Sequence, residues 1–313
     1  MKGLELSKAY YKEYGEPMLK EQFSALLPSI SVGLCGSGSE CLGYDDEIST
    51  DHDFEPGFCI FLPGEDRIGR KEAFLLERAY AKLPDESNGF RRAKISPVGG
   101  SRHGVIRLSD FLKEKTGSED GRLTAEQWLK IPQYALCEAT NGELFFDGDG
   151  AFTEIRGYLS SMPEDVRRKR LAGALITMAQ SGQYNYRRCI GHGEGAAAQL
   201  AVFRFTEAAL EAAFLLRRRY MPYYKWAFKA LAELDGFSGY RDTFELLLTT
   251  ENTKELAETK YYIIEDVASA YIAELQAQGL TEAICGDLEK HAYSVNDSVS
   301  DPNIRNLNIF YTA

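Results

Sequence analysis

The chain of 313 residues has no uncharged apolar run of about 18 residues, the length a membrane-spanning helix needs. Its opening residues, MKGLELSKAYYKEYGEP, lack the apolar core of roughly 7–15 residues that marks a secretory leader. A soluble protein of the cytoplasm is therefore expected, with no membrane partner. The six cysteines, Cys35, Cys41, Cys59, Cys137, Cys189 and Cys285, are scattered, and none makes the paired short spacing of a zinc site. Reduced thiols fit that compartment. Positive charge is also short: 36 Lys and Arg stand against 47 Asp and Glu, a formal charge of −11. Such a balance opposes non-specific attraction to a nucleic-acid backbone and suits a small or cationic substrate. Histidine is scarce, with four in the chain; His103 and His192 have no partners at metal-ligand spacing, and no histidine stands in a Ser-His-Asp arrangement.

What is present is ample apolar content, 44%, and a length that suits two domains. Apolar positions from Leu4 to Leu27 recur at helical spacing, with a break expected at Gly15–Pro17. SISVGLC reads as a short buried strand between Pro28 and the Gly36–Ser37 corner, and a helix should follow that corner. DHDFEPGFCIFLP reads as a second strand bent at Pro56–Gly57, followed by a helix over 71–83. HGVIRLSDFL gives a third strand running into a helix, AEQWLKIPQYALCEAT is mainly helical, and GELFFDGDGAF is a strand closed by a Gly/Asp turn. Beyond about residue 155 the pattern changes to long helical segments, the last of them KELAETKYYIIEDVASAYIAELQAQG. Two domains are expected, 1–155 with alternating strands and helices and 156–313 as an all-α bundle. No repeat or low-complexity tract interrupts them.

The chemistry concentrates in GLCGSGSECLGYDDEISTDHDFEPGFCIFL. Side chains alternate along a strand, so Asp51 and Asp53 share one face while His52 packs on the other. Two carboxylates about 7 Å apart, from a rise of roughly 3.3 Å per residue, repel unless a cation or proton bridges them. Oxygen ligands of that kind suit Mg²⁺, which completes its shell with water and substrate phosphate. A Gly-Ser corner that turns a strand into a helix offers backbone N–H groups to an anion, and glycine lets a phosphate come close.

An apolar strand, Gly36-Ser37, thirteen residues from Gly38 to Thr50, then Asp51-His52-Asp53 beside a second apolar run resembles the nucleotidyltransferase superfamily that includes DNA polymerase beta. The longer stretch, with RRRYMPYYKWAFKAL downstream, is similar to a bacterial branch of that superfamily. The resemblance implies an α+β chain, a mixed-sheet domain with flanking helices followed by a helical bundle. It implies that Asp51 and Asp53 hold one or two Mg²⁺ ions and act in catalysis, with Gly36, Ser37 and Ser39 against the triphosphate of ATP or another NTP. In a two-metal scheme one ion neutralises the leaving pyrophosphate and the other activates the attacking hydroxyl, so positioning and electrostatics carry the catalysis.

The superfamily places a third carboxylate on the next strand, and here Gly104–Leu108 holds none; Arg107 stands in its place. Asp110, with a shifted register, and Glu138 or Asp147, further off, are the remaining candidates. One branch takes a catalytic glutamate from a helix of its second domain, and FRFTEAALEAAFLLRRRYMPYYKW resembles that region. Glu207 and Glu211 lie four residues apart on one helix face; a carboxylate among apolar neighbours has a raised pKa and suits a general base, while pairing with Arg204 or Arg218 is the plainer reading. Lys225, set among Tyr220, Tyr223, Tyr224 and Trp226, is assigned to a phosphate, and the tyrosines to the core. Gly191, Gly193 and Gly195 make no dinucleotide motif, and Arg91, Arg92 and Lys94 form a solvated basic patch.

The function expected is Mg²⁺-dependent transfer of NMP, with AMP favoured, from an NTP to a hydroxyl of a small molecule or a protein. Nucleic acid is disfavoured as acceptor by charge, and a homodimer is allowed. The alternative is a catalytically silent nucleotide-binding module, a regulatory or toxin-antitoxin partner that has lost the third acid.

Overall fold

The computed structural model describes residues 1–46, 55–92 and 103–312, so Asp51, His52, Asp53 and Lys94 lie outside the described residues. The described chain is α+β and divides into two units, one of Met1–Thr124 with Tyr134–Ser161 and one of Ala125–Gln133 with Met162–Ala313.

The first unit begins with α1 (Gly3–Tyr10) and α2 (Glu16–Gln22), joined through a π turn at Tyr11–Gly15. The expected break at Gly15–Pro17 is not one. Pro17 lacks an N–H and its ring crowds the carbonyl one turn back, and a wider turn relieves both. Gly15 is a packing slot, since a Cβ there would collide with the Phe58 ring. Then come β1 (Ser31–Leu34), the one-turn α3 (Ser39–Leu42), β2 (Cys59–Leu62) and α4 (Arg70–Tyr80). Pro56–Gly57 precedes the second strand instead of bending it. A two-residue ribbon pairs β3 (Glu86–Ser87) with β4 (Phe90–Arg91). The unit closes with β5 (Gly104–Arg107), α5 (Leu108–Thr116), all of α7 (Gln133–Thr140) but its first residue, β6 (Glu143–Asp147) and α8 (Ala151–Leu159).

The sheet is mixed, in the order β5-β2-β1-β6. β1 runs antiparallel to β2 and to β6, while β2 and β5 are parallel. Alternation puts Ile60 and Leu62 into a core with Tyr10, Tyr11, Leu76 and Tyr80, and sends Phe61 the other way against Phe111 and Phe152. Helices thus cover both faces, and β1 and β2 are buried along their whole length.

The second unit is helical. α6 (Ala125–Lys130) belongs to it, with α9 (Glu164–Met178), a π segment at Ala179–Tyr186, α10 (Arg187–Gly191) and α11 (Gly195–Leu216). α12 (Tyr224–Ala232), α13 (Tyr240–Thr249), α14 (Lys254–Ala277), α15 (Leu288–Asp297) and α16 (Pro302–Arg305) complete it. Among the described residues no helix is long and apolar enough to cross a membrane.

Candidate functional site

β1 ends in Cys35-Gly36-Ser37-Gly38, where Gly36 has φ +111° and Gly38 φ +124°, backbone that L side chains avoid. The corner is pinned from α7's far end. Asn141 accepts the Gly36 N–H through Oδ1 at 2.9 Å and donates from Nδ2 to the Gly36 carbonyl at 2.8 Å. Asn141 is itself fixed, because Arg156 Nη2 donates to the carbonyls of Thr140 (2.8 Å) and Asn141 (2.7 Å), with Nη1 3.2 Å from Cys35 Sγ. Burial pushes the Cys35 thiol up to about 11 despite that guanidinium, so it is no ready nucleophile.

Ser37 is exposed and faces a charged pair. Its hydroxyl donates to Glu138 Oε2 at 3.1 Å and accepts from Lys115 Nζ at 3.2 Å, and Lys115 also bonds Glu138 Oε2 (2.8 Å) and Glu114 Oε1 (2.7 Å). The Lys115 side chain is only 9% exposed. Burial works against its charge, but the hydrogen bonds it donates to Glu114 and Glu138 outweigh burial and raise its pKa, so it stays an ammonium.

The corner forms part of the wall of an open cavity of about 540 Å³, within the range of small-molecule sites. Gly36, Ser37 and Glu40 come from the corner and α3, Cys59 and Leu62 from β2, and Val105 to Arg107 from β5. α4 adds Glu77, and α5 adds Asp110, Phe111, Glu114 and Lys115. Ser39, the first residue of α3, is not on this wall. The expected helix after the corner is one turn long, so its dipole is small, and the Gly36 N–H expected to meet a phosphate is already donated to Asn141.

The antiparallel register Gly33↔Cys59 sets the start of β2 beside the end of β1, so the chain leading into β2 arrives next to the Gly36–Ser37 corner. Both flanks of the 47–54 segment are tied down. Asp45 accepts the Gly3 N–H at 2.9 Å, Ser7 Oγ donates to the Gly57 carbonyl at 2.5 Å, and Phe58 exchanges two hydrogen bonds with the Tyr80 hydroxyl. Glu55 Oε1 lies 3.2 Å from His103 Nδ1, just before β5. Among the described residues no three histidine, cysteine or carboxylate side chains converge to hold an ion. The described acids alone therefore do not fit Mg²⁺, and the two aspartates assigned to it lie outside them.

The candidates for a third acid separate. Strand β5 carries none, and Arg107 there donates to the Pro63 carbonyl at 2.6 Å. Asp110 is on the cavity wall and Glu138 on Ser37. Asp147 is at the other end of β1, where it accepts from Ser31 Oγ and caps α8 through the Thr153 N–H, which removes it.

In the helical unit, Glu207 and Glu211 share a face of α11, Glu207 exposed and Glu211 half-buried. Burial raises the Glu211 carboxyl, Arg170 opposes the rise and Glu207 adds to it. Arg218 pairs instead with Glu164 at 2.8 Å. Lys225 is exposed, with Nζ 5.1 Å from the Trp226 ring centroid. Tyr223 and Tyr224, expected in the core, are 44% and 73% exposed, their rings 4.4 Å apart, because α12 begins at Tyr224 and turns that end outward. Two partners of the corner, Lys115 and Asn141, carry no mark in the sequence. Arg91 is exposed and pairs with Glu86, whereas Arg92 is half-buried over the Tyr80 ring and donates to the Tyr80 carbonyl at 3.3 Å, so it is not part of a solvated face.

Residues 128–227 match the model of a domain of unknown function, DUF4037. This span holds Glu138, Glu207, Glu211 and Lys225. No curated protein matches the chain. Among solved structures it is similar to a nucleotidyltransferase-like protein from Exiguobacterium sibiricum, with 12% identity and a TM-score of 0.41 over 92% of this chain and 81% of that one.

Proposed function

We propose that the chain is a nucleotidyltransferase that seats the triphosphate of an NTP, ATP by preference, at the Gly36–Ser37 corner and passes its NMP to a hydroxyl. The observation that carries this reading is the glycine corner at the end of β1, pinned by Asn141 and open to a cavity of small-molecule size. Asp51 and Asp53 would hold Mg²⁺, which when bound supplies positive charge to the leaving pyrophosphate. The acceptor oxygen forms a bond to the α-phosphorus, the bond to pyrophosphate breaks, and the acceptor proton passes to a carboxylate. The acceptor is a small molecule or a protein side chain, in keeping with the net charge of −11.

Pyrophosphate release from ATP and Mg²⁺ with a set of hydroxyl acceptors tests this. Asp51→Asn and Asp53→Asn should each abolish Mg²⁺-dependent ATP binding and turnover at an unchanged melting temperature. Full activity in both variants would end the assignment. A second reading, a silent nucleotide-binding module, is favoured by β5, which has Arg107 where an acid would stand. ATP binding without turnover on any acceptor would select it.

A further inference from the structure

The Lys115 site holds more negative charge than the lysine needs. Glu114 Oε1 already lies 2.7 Å from Nζ, which balances one buried ammonium. Glu138 brings a second carboxylate to 2.8 Å, and the same oxygen takes the Ser37 hydroxyl at 3.1 Å. That oxygen thus occupies the meeting point of one ammonium and one hydroxyl at the Gly36 corner, the pair of donors a phosphate oxygen would use. Arg107 and Lys115 are the two cations described on the cavity wall, and Arg107 Nη1 donates to the Pro63 carbonyl. Lys115 is left as the cation directed at the corner.

We infer that Lys115 and Ser37 form a phosphate subsite, and that the Glu138 carboxylate occupies it as a stand-in anion until a polyphosphate displaces it. The ligand class is a nucleoside triphosphate or free pyrophosphate, and the inference rests on the nucleotide reading above. The exchange needs little movement. Glu138 is 19% exposed and sits on α7 one turn ahead of Asn141, so its side chain can rotate to solvent while Asn141 goes on holding Gly36. Lys115 stays charged throughout, with Glu114 as its remaining carboxylate.

Titration of the full chain with Mg²⁺-ATP and with inorganic pyrophosphate, by calorimetry, tests this. Glu138→Gln keeps the size and one acceptor oxygen but removes the competing charge, so both ligands should bind about threefold to tenfold more tightly. A purely structural Glu138 would give no gain in affinity. Lys115→Met should weaken both ligands about tenfold or more, because it removes a charged donor. If that variant fails to fold, the gain in Glu138→Gln decides by itself. A wild-type chain that binds ATP while Glu138→Gln binds no better overturns this assignment and leaves the nucleotide reading standing. A wild-type chain that binds neither ATP nor pyrophosphate overturns both.

Discussion

Glu164 receives three arginines at once. Arg167 donates from Nε and Nη2 at 3.0 and 2.7 Å, Arg168 from Nε at 2.9 Å and Arg218 from Nη1 at 2.8 Å. The Arg167 hydrogen bonds are the largest cause; they exceed the opposing effect of burial and, with Arg168, hold the carboxyl down at about 2, against an ordinary 4.5. Because the folded value lies below the unfolded one, the contribution is complete above pH 4.5 and is lost as pH falls towards 2. Glu164→Gln should cost about 1–2 kcal/mol near neutrality, a modest figure because the carboxylate is more than a third exposed to solvent. In urea unfolding, the gap between wild type and variant should close as pH falls from 4.5 to 2; a gap that stays constant would show the arginines do not act through this charge. At this scale the sequence shows residue types and not their partners. Gly36 and Ser37 stand out by type, but Asn141 and Lys115 reach them across 105 and 78 residues of chain, and neither spacing has any local signature.

Among the elements, β1 shows how a backbone approach fixes a residue. A Cβ on Gly33 would collide with the Glu143 carbonyl oxygen and lie 2.9 Å from Leu144 Cα, both backbone of β6. The β1–β6 register shifts between Val32 and Gly33, where the strands come close. Neither backbone atom can rotate away, so Gly33→Ala should cost about 2–3 kcal/mol in denaturant unfolding, and a loss below about 0.5 kcal/mol would refute the close approach. Strands and helices were legible where the apolar period was unbroken, as in KEAFLLERAYAKL and HGVIRLSDFL. α15 was not foreseen, since LEKHAYSVND is only ten residues long and mostly polar. Nor does a run such as RRKR reveal what it binds. On α9, Arg167 donates to Leu215 O, Arg168 to Ser298 O, Lys169 to Arg305 O and Leu307 O, and Arg170 to Ile131 O and Trp128 O. Each cation thus meets carbonyls at the end of a different helix, which the helix dipole favours.

On the scale of the whole molecule, the chain does not divide at one point. Residues 125–133 belong to the helical unit although strands of the first unit flank them on both sides. Trp128 in α6 is buried, and its carbonyl takes Arg170 of α9. A fragment of residues 1–161 keeps Trp128 but lacks α9 and the rest of that unit, and it contains no other tryptophan. Its fluorescence should shift to the red relative to Trp226→Phe in the full chain; an unshifted spectrum would mean that α6 packs without its helical partners. The expected boundary at residue 155 falls inside α8, because composition changes gradually there while the packing changes after Ser161. The sequence by itself determined the α+β order of elements and the glycine corner after the first strand. Both follow from side-chain period and backbone sterics along a few residues. Only the tertiary structure decided that Asn141 holds Gly36, that Glu138 and Lys115 meet at Ser37, and that Asp147 caps a helix. Those depend on which distant segments share a sheet edge or a helix end, and local sequence carries no information about that.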